Sequence, residues 1–216
     1  MSMEAWREYR KFEKGEFVLA FADTAVGGND YCACQFLSKE RLDVPLVFHS
    51  QISATLMTPL LHLKLEEIYD ATGVQPCIAY ERNNGGQFEL ERLSVLNKNQ
   101  KYYLYEQHDK DGQPNGKLGW DTNTATRPKM LQELQECINS KLITLYDEPT
   151  ITELFSFIIS KNGKPEAEKS AHDDLVMSLA GVWQLYQTEN KPQTVNYQQF
   201  VSQLPRQELF GKSGLF

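Results

Sequence analysis

The stretch EFVLAFADTAVGGNDYCACQFLS, residues 16–38, decides how this chain is read. Its first part, residues 16–23, is an apolar run that ends in a carboxylate, Asp23. A short apolar run bounded by turn residues reads as a buried strand. Val26-Gly27-Gly28-Asn29 is a turn signal, and residues 30–38 read as a second strand. VPLVFHSQI (44–52) reads as a third. Three strands joined by short turns predict an antiparallel meander.

Beyond the meander the period changes. Between Thr55 and Thr72, Leu56, Leu60 and Leu63 recur at helical spacing, and so do Met57, Leu61 and Ile68. Gly73 is placed to end this helix. PCIAYE (76–81) is another apolar strand ending in a carboxylate. Residues 86–98 read as a helix, 101–107 as a strand, and the Gly-, Pro- and Asn-rich segment 109–119 as a loop or hairpin tip. Residues 127–140 form an amphipathic helix with Leu131, Leu134 and Ile138 on one face, Thr126 as its N-cap and Pro128 in its first turn. A short strand (142–147), a short helix (150–157), a loop (162–169) and a strong helix from Ala171 to Thr188 follow. Strands then helices in this order predict a mixed sheet with helices on its faces. Residues 1–14 read as a charged helix or linker, 15–189 as one domain and 190–216 as a tail. There is no internal repeat and no low-complexity segment.

The chain has 216 residues, enough for one large domain, and its 41% hydrophobic and 24% charged residues exclude a disordered protein. No apolar run approaches the roughly 20 residues of a membrane span, and the N-terminus lacks a signal-peptide core, so the expected compartment is the cytosol. Cys32, Cys34, Cys77 and Cys137 form no CxxC pair, which predicts reduced core cysteines rather than a zinc site. The net charge of −7 argues against a protein that merely coats nucleic acid. It is compatible with a site that collects carboxylates around divalent cations.

Three carboxylate positions fit such a site. Asp23 and Glu81 close two apolar strands, and Asp173-Asp174 opens the last helix. If those strands are parallel neighbours, their C-terminal ends share one sheet edge, where ligand sites gather. Asp174, Ser178 and Gly181 fall at i, i+4 and i+7, and this small-residue stripe would let the helix approach the sheet closely. Leu175, Leu179 and Tyr186 on a neighbouring stripe would pack the core. Crowded carboxylates repel unless a cation neutralises them, and all-oxygen ligands favour Mg2+ or Mn2+. The pattern leaves plainer roles open: a strand-end Asp also serves as a turn residue, and an Asp pair at a helix start as a cap.

At these residues the sequence resembles the nuclease domain of tailed-bacteriophage terminase large subunits. AFADTAVGGNDY (20–31), AYERNNGG (79–86) and SAHDDLVMSLA (170–180) are similar to that family's three acidic motifs, in the same order. Residues 119–157 are similar to the segment between the last two, and the match spans roughly 15–189. The resemblance implies an RNase H-like fold and a metal-dependent endodeoxyribonuclease that cuts double-stranded DNA concatemers during viral genome packaging, with two Mg2+ or Mn2+ ions. It implies Asp23, Glu81 and Asp174 as catalytic metal ligands, Asp173 as a further ligand, and Asp30 and His172 as auxiliary positions. Arg82, Arg127, Lys129, Lys164 and Lys169 become candidate phosphate contacts.

Terminase large subunits also carry an ATPase domain with a P-loop. This chain has no GxxxxGK[ST], and GKSG (211–214) lacks the upstream glycine. The expectation is an isolated, monomeric nuclease domain of a phage protein acting in the host cytoplasm. Its partners in the whole protein would be the ATPase domain, the portal protein and the small terminase. Rival readings are another RNase H-like nuclease, such as a Holliday-junction resolvase or a transposase-like enzyme, or a non-catalytic docking domain.

Overall fold

A computed structural model describes residues 5–25, 31–83, 85–109, 111–159, 165–167 and 173–189. In chain order the elements are β1 (Trp6–Glu8), β2 (Val18–Asp23), β3 (Cys32–Ser38), β4 (Asp43–Ser50), α1 (Ala54–Thr72), β5 (Cys77–Tyr80), α2 (Gly86–Leu96), β6 (Tyr103–Leu104), β7 (Glu106–His108), β8 (Pro114–Leu118), α3 (Thr126–Asn139), β9 (Thr144–Leu145), α4 (Glu148–Ser156), β10 (Phe157–Ile159), β11 (Pro165–Ala167) and α5 (Asp174–Thr188). Among the described residues seven strands form one sheet in the order β1-β4-β3-β2-β5-β6, with β9 also on β4.

The predicted meander is present: β2, β3 and β4 pair antiparallel. β5 then joins β2 in parallel, and β6 joins β5 in parallel. This is the mixed sheet that the sequence predicted. β2 and β3 are buried on both faces, as their unbroken apolar character requires. Helix α1 ends at Gly73, whose φ of 72° is left-handed. All four cysteines are buried and free, as expected. No helix of the described residues is long and apolar enough to cross a membrane.

Several predicted elements are corrected. Within residues 1–14, Trp6–Glu8 is an edge strand on β4, not a helix or linker. Its residues are not apolar enough to announce a strand. What holds it is remote pairing and charge: Arg7 donates to Asp147 at 2.5 and 3.0 Å, and Arg10 forks onto Asp43 and Glu16. The 101–107 strand splits into β6 and β7, because Tyr105 leaves the main sheet to start a hairpin with β8. The segment 109–119, read as a loop or hairpin tip, holds the tip of that hairpin and also its second strand, β8. The N-cap of α3 is Ala125, and Thr126 is the first residue of the helix; in the turn before it Asn123 Oδ1 accepts the amides of Ala125 and Thr126 at 2.9 and 3.1 Å. The loop predicted over 162–169 contains β11, paired with β10. On α1 only the Met57, Leu61 and Ile68 stripe is buried; Leu56 and Leu63 are 60% and 61% exposed.

Asp147 ties the two ends of the sheet edge together. Burial alone would raise its carboxyl, but hydrogen bonds from Arg7, Thr150 and Tyr9 outweigh that and hold it below the ordinary 3.8. A depressed carboxylate stabilises the fold above its unfolded value and loses that contribution as the pH falls through the folded value. Asp147→Asn therefore costs about 3 kcal/mol near neutrality, the low end for a buried pair because Arg7 keeps solvent contact. Urea unfolding should show this gap at neutral pH and show it closing below the unfolded value of 3.8. A gap that persists to about pH 2 would contradict the linkage.

Candidate active site

The C-terminal ends of β2 and β5 lie side by side because the two strands are parallel and in register, with Ala22 opposite Tyr80. Asp23 is the last residue of β2, and Glu81 follows β5 directly. The Glu81 amide donates to Ala22 O at 2.9 Å, which locks the two strand ends together. Side chains alternate across a strand. Tyr80 points to α1, where its hydroxyl meets Thr58, so Glu81 points to the other face. Phe21 lies on that same face against α5, so Asp23, two residues on, points there too.

Helix α5 delivers the third carboxylate. A Cβ on Gly181 would sit 2.3 Å from the Phe21 ring. Only glycine permits this approach, and Ser178, one turn earlier, is fully buried. The approach brings Asp174, in the first turn of α5, to the β2 end. Asp23 and Glu81 share a hydrogen bond, and Asp174 and Asp173 add negative potential. Burial first, then these carboxylates, push the Asp23 carboxyl well above its ordinary value. The carboxyl keeps some solvent access while protein surrounds it densely.

The turn after Glu81 is equally constrained. Gly85 has a φ of 86°. A Cβ on Gly86 would fall 1.8 Å from the Glu81 carbonyl oxygen. The Gly85-Gly86 pair therefore lets α2 start directly on the backbone of Glu81. Asn83 donates to Glu81 Oε1 at 3.0 Å and to Thr122 O at 2.7 Å, orienting the carboxylate from the next loop.

No family model matches the sequence, and no curated protein is similar to it by sequence. Solved structures are similar to it in fold. One is the large terminase nuclease from thermophilic phage G20c with bound magnesium, at TM-score 0.63 and 14% identity, covering 85% of this chain and 89% of that one. Another is the Thermus phage P74-26 large terminase nuclease domain, at TM-score 0.62 and 13% identity over 88% and 90% of the two chains. The P22 large terminase nuclease domain aligns at TM-score 0.53 and 13% identity over 87% and 91%. The chain has the fold of a phage large-terminase nuclease domain.

On this RNase H-like fold the structure brings together Asp23, Glu81, Asp174 and Asp173, as the sequence had grouped them. Asp173 is ion-paired with Arg127 of α3. Arg82 is engaged by protein: it donates to Leu118 O at 2.6 Å and Gln87 Oε1 at 3.0 Å, and pairs with Asp121 at 3.0 Å. Lys129 is largely exposed and lies 3.6 Å from Glu133. Asp30, His172, Lys164 and Lys169 lie outside the described residues.

One neighbour escaped the sequence reading. Glu153 of α4 accepts the Val176 amide at 2.7 Å. Burial, with Asp174 and Asp173 nearby, pushes its carboxyl up to about 7. No motif marks Glu153, because it sits mid-helix in an ordinary TITELFS stretch.

Among the described residues no three His, Cys, Asp or Glu side chains are already drawn together as a metal cage. The carboxylates instead neighbour one another along the edge. Their chemistry still fits hard divalent cations. The donors are all oxygens, and the Asp23 carboxyl is raised by burial and then by the carboxylates beside it.

Proposed function

We propose that this chain is a divalent-metal-dependent endonuclease that cleaves double-stranded DNA during viral genome packaging. The observation that carries the proposal is the Asp23–Glu81–Asp174 edge, where two parallel strand ends and the close approach of α5 gather carboxylates, and where burial and then those neighbours raise the Asp23 carboxyl. The fold shared with large-terminase nucleases supports it, one of which was solved with bound magnesium and with bound cobalt. The catalytic unit of this reading is residues 15–189, with β1 added as an edge strand.

Asp23, Glu81 and Asp174 would hold Mg2+ or Mn2+, two ions in the favoured arrangement. When bound, such ions activate water and stabilise charge on the leaving 3′ oxygen of a phosphodiester. The protein's own part is placement. β2 and β5 fix two carboxylates through paired backbone, Asn83 orients Glu81, and Gly181 sets the depth of α5. Lys129 is the exposed cation proposed to contact phosphate, and Lys164 and Lys169 are proposed from sequence. Backbone contacts of this kind confer little sequence preference.

Supercoiled plasmid incubated with Mn2+ or Mg2+ should convert to nicked and linear forms, and EDTA should stop the conversion. No cleavage with either metal would remove the proposal. A strong preference for four-way junctions over linear duplex would favour a resolvase instead.

The β7–β8 hairpin springs from this edge, since Trp120, just after β8, pairs with Glu81. We propose that it gates DNA entry. Duplex DNA should then slow amide hydrogen exchange in residues 106–118 relative to α1. Equal exchange with and without DNA would count against a gate.

A further inference from the structure

Two acidic residues open α5, and the structure gives them different partners. Asp173 lies at the N-cap position, where its carbonyl accepts the Met177 amide at 2.8 Å. Its carboxylate is taken by Arg127, in the first turn of α3. Asp174 is the one that bears more strongly on Asp23. Arg127 is itself set in place. Asn123 Oδ1 accepts the amides of Ala125 and Thr126 where α3 begins, the Arg127 amide donates to Asn123 O at 2.9 Å, and the guanidinium Nε is buried without a hydrogen bond. On the other side of α5, Glu153 accepts the Val176 amide. The first turn of α5 is thus held from α3 through Arg127 and from α4 through Glu153.

We infer that Arg127 is a positioning residue rather than a phosphate contact, and that Asp173 is its anchor rather than a metal ligand. The pair fixes the start of α5 so that Asp174 meets Asp23 and Glu81. A guanidinium whose Nη2 is spent on a carboxylate and whose Nε is buried has less to offer a phosphate. A carboxylate neutralised by Arg127 adds less to the negative edge than Asp174 does. The inference rests on the reading of this edge as a metal-dependent nuclease and assigns the division of labour within it.

The test compares Arg127→Gln, Arg127→Lys, Asp173→Asn and the double variant Arg127→Gln/Asp173→Asn with the wild-type chain. The readouts are Mn2+ affinity by calorimetry, and kcat and KM for plasmid cleavage at several salt concentrations. Thermal unfolding confirms that each variant folds. Supporting groups behind metal ligands typically change metal affinity or activity by about 10–100-fold. Arg127→Gln and Asp173→Asn should each weaken Mn2+ binding and lower kcat about 10-fold. The double variant should be no worse than either single one, because both remove one contact. KM for DNA and its salt dependence should stay at the wild-type values, and Arg127→Lys should recover part of kcat.

If Arg127→Gln instead raises KM and reduces the salt slope by about one counterion, Arg127 is a phosphate contact and the inference falls. If Asp173→Asn abolishes Mn2+ binding as fully as Asp174→Asn, Asp173 is a ligand and the inference falls. A wild-type chain that neither binds Mn2+ nor cuts DNA would remove the nuclease reading as well. Wild-type cleavage with additive or absent effects of the pair would overturn the inference alone.

Discussion

Asp23→Asn should remove most DNA cleavage and, without metal, should make the protein more stable. The two effects have one cause. Asp23 is half-buried in dense protein beside Glu81 and Asp174, and its ionised form is disfavoured there, so its carboxyl sits above the ordinary value. Asparagine keeps the shape and removes one like charge. Relief of about 1 kcal/mol would raise Tm by about 2–4 °C in a domain of this size. Cations reverse the balance. At about 100 times the dissociation constant a bound ion adds ~2.7 kcal/mol to the wild type, whereas the variant loses a central ligand. Cleavage should fall ~10²–10³-fold, the range seen when one preorganised group for transition-state charge is lost. Plasmid cleavage and thermal unfolding, each with Mn2+ and with EDTA, read both effects. A variant that cuts like the wild type would sink the assignment. One that loses stability in EDTA would show that Asp23 serves the fold rather than a metal.

The second large effect is at Gly181. Its added Cβ would meet three Phe21 ring atoms at 2.3–2.4 Å. Phe21 is fully buried in β2, so the ring has no open space to enter. Alanine gains about 1 kcal/mol of helix propensity over glycine in an open helix, but overpacking a tight core costs typically ~1–3 kcal/mol, occasionally more. Gly181→Ala should therefore be destabilising on balance. Gly181→Leu, with a far larger intrusion, should leave no folded protein at 37 °C. Because α5 also carries Asp174, the alanine variant should lose activity beyond its loss of stability. Pairing it with Phe21→Leu should restore part of both, by vacating ring volume. Denaturant unfolding of the two singles and the double gives the coupling directly, and strict additivity would show that the clash is relieved elsewhere.

The sequence announced the parts of the site that local chemistry governs. An apolar run must be buried, so the carboxylate at its end is fixed at a sheet edge; Asp23 and Glu81 are legible for that reason. Asp174, Ser178 and Gly181 are legible because small residues at helical spacing have a packing consequence, seen in the Gly181–Phe21 contact. What the sequence hides is cooperation at a distance. β1 exists because Arg7 reaches Asp147, 140 residues on. Leu56 and Leu63 share the helical period of the buried α1 stripe but lie on the face turned away from the sheet, and periodicity alone cannot choose between two stripes. Glu153 is placed by its bond to the Val176 amide, which no spacing encodes. Arg127 reads in the sequence as a candidate phosphate contact, and its partner Asp173, at the N-cap of α5, is remote in the chain.

The central claim is that Asp23, Glu81 and Asp174 together hold the cations that cut DNA. Anomalous diffraction from crystals soaked in Mn2+ tests it most directly. The account predicts anomalous density bounded by the carboxylate oxygens of these three residues, and its loss in Asp23→Asn crystals. Manganese bound elsewhere, or none at this edge at concentrations that support cleavage, would contradict it.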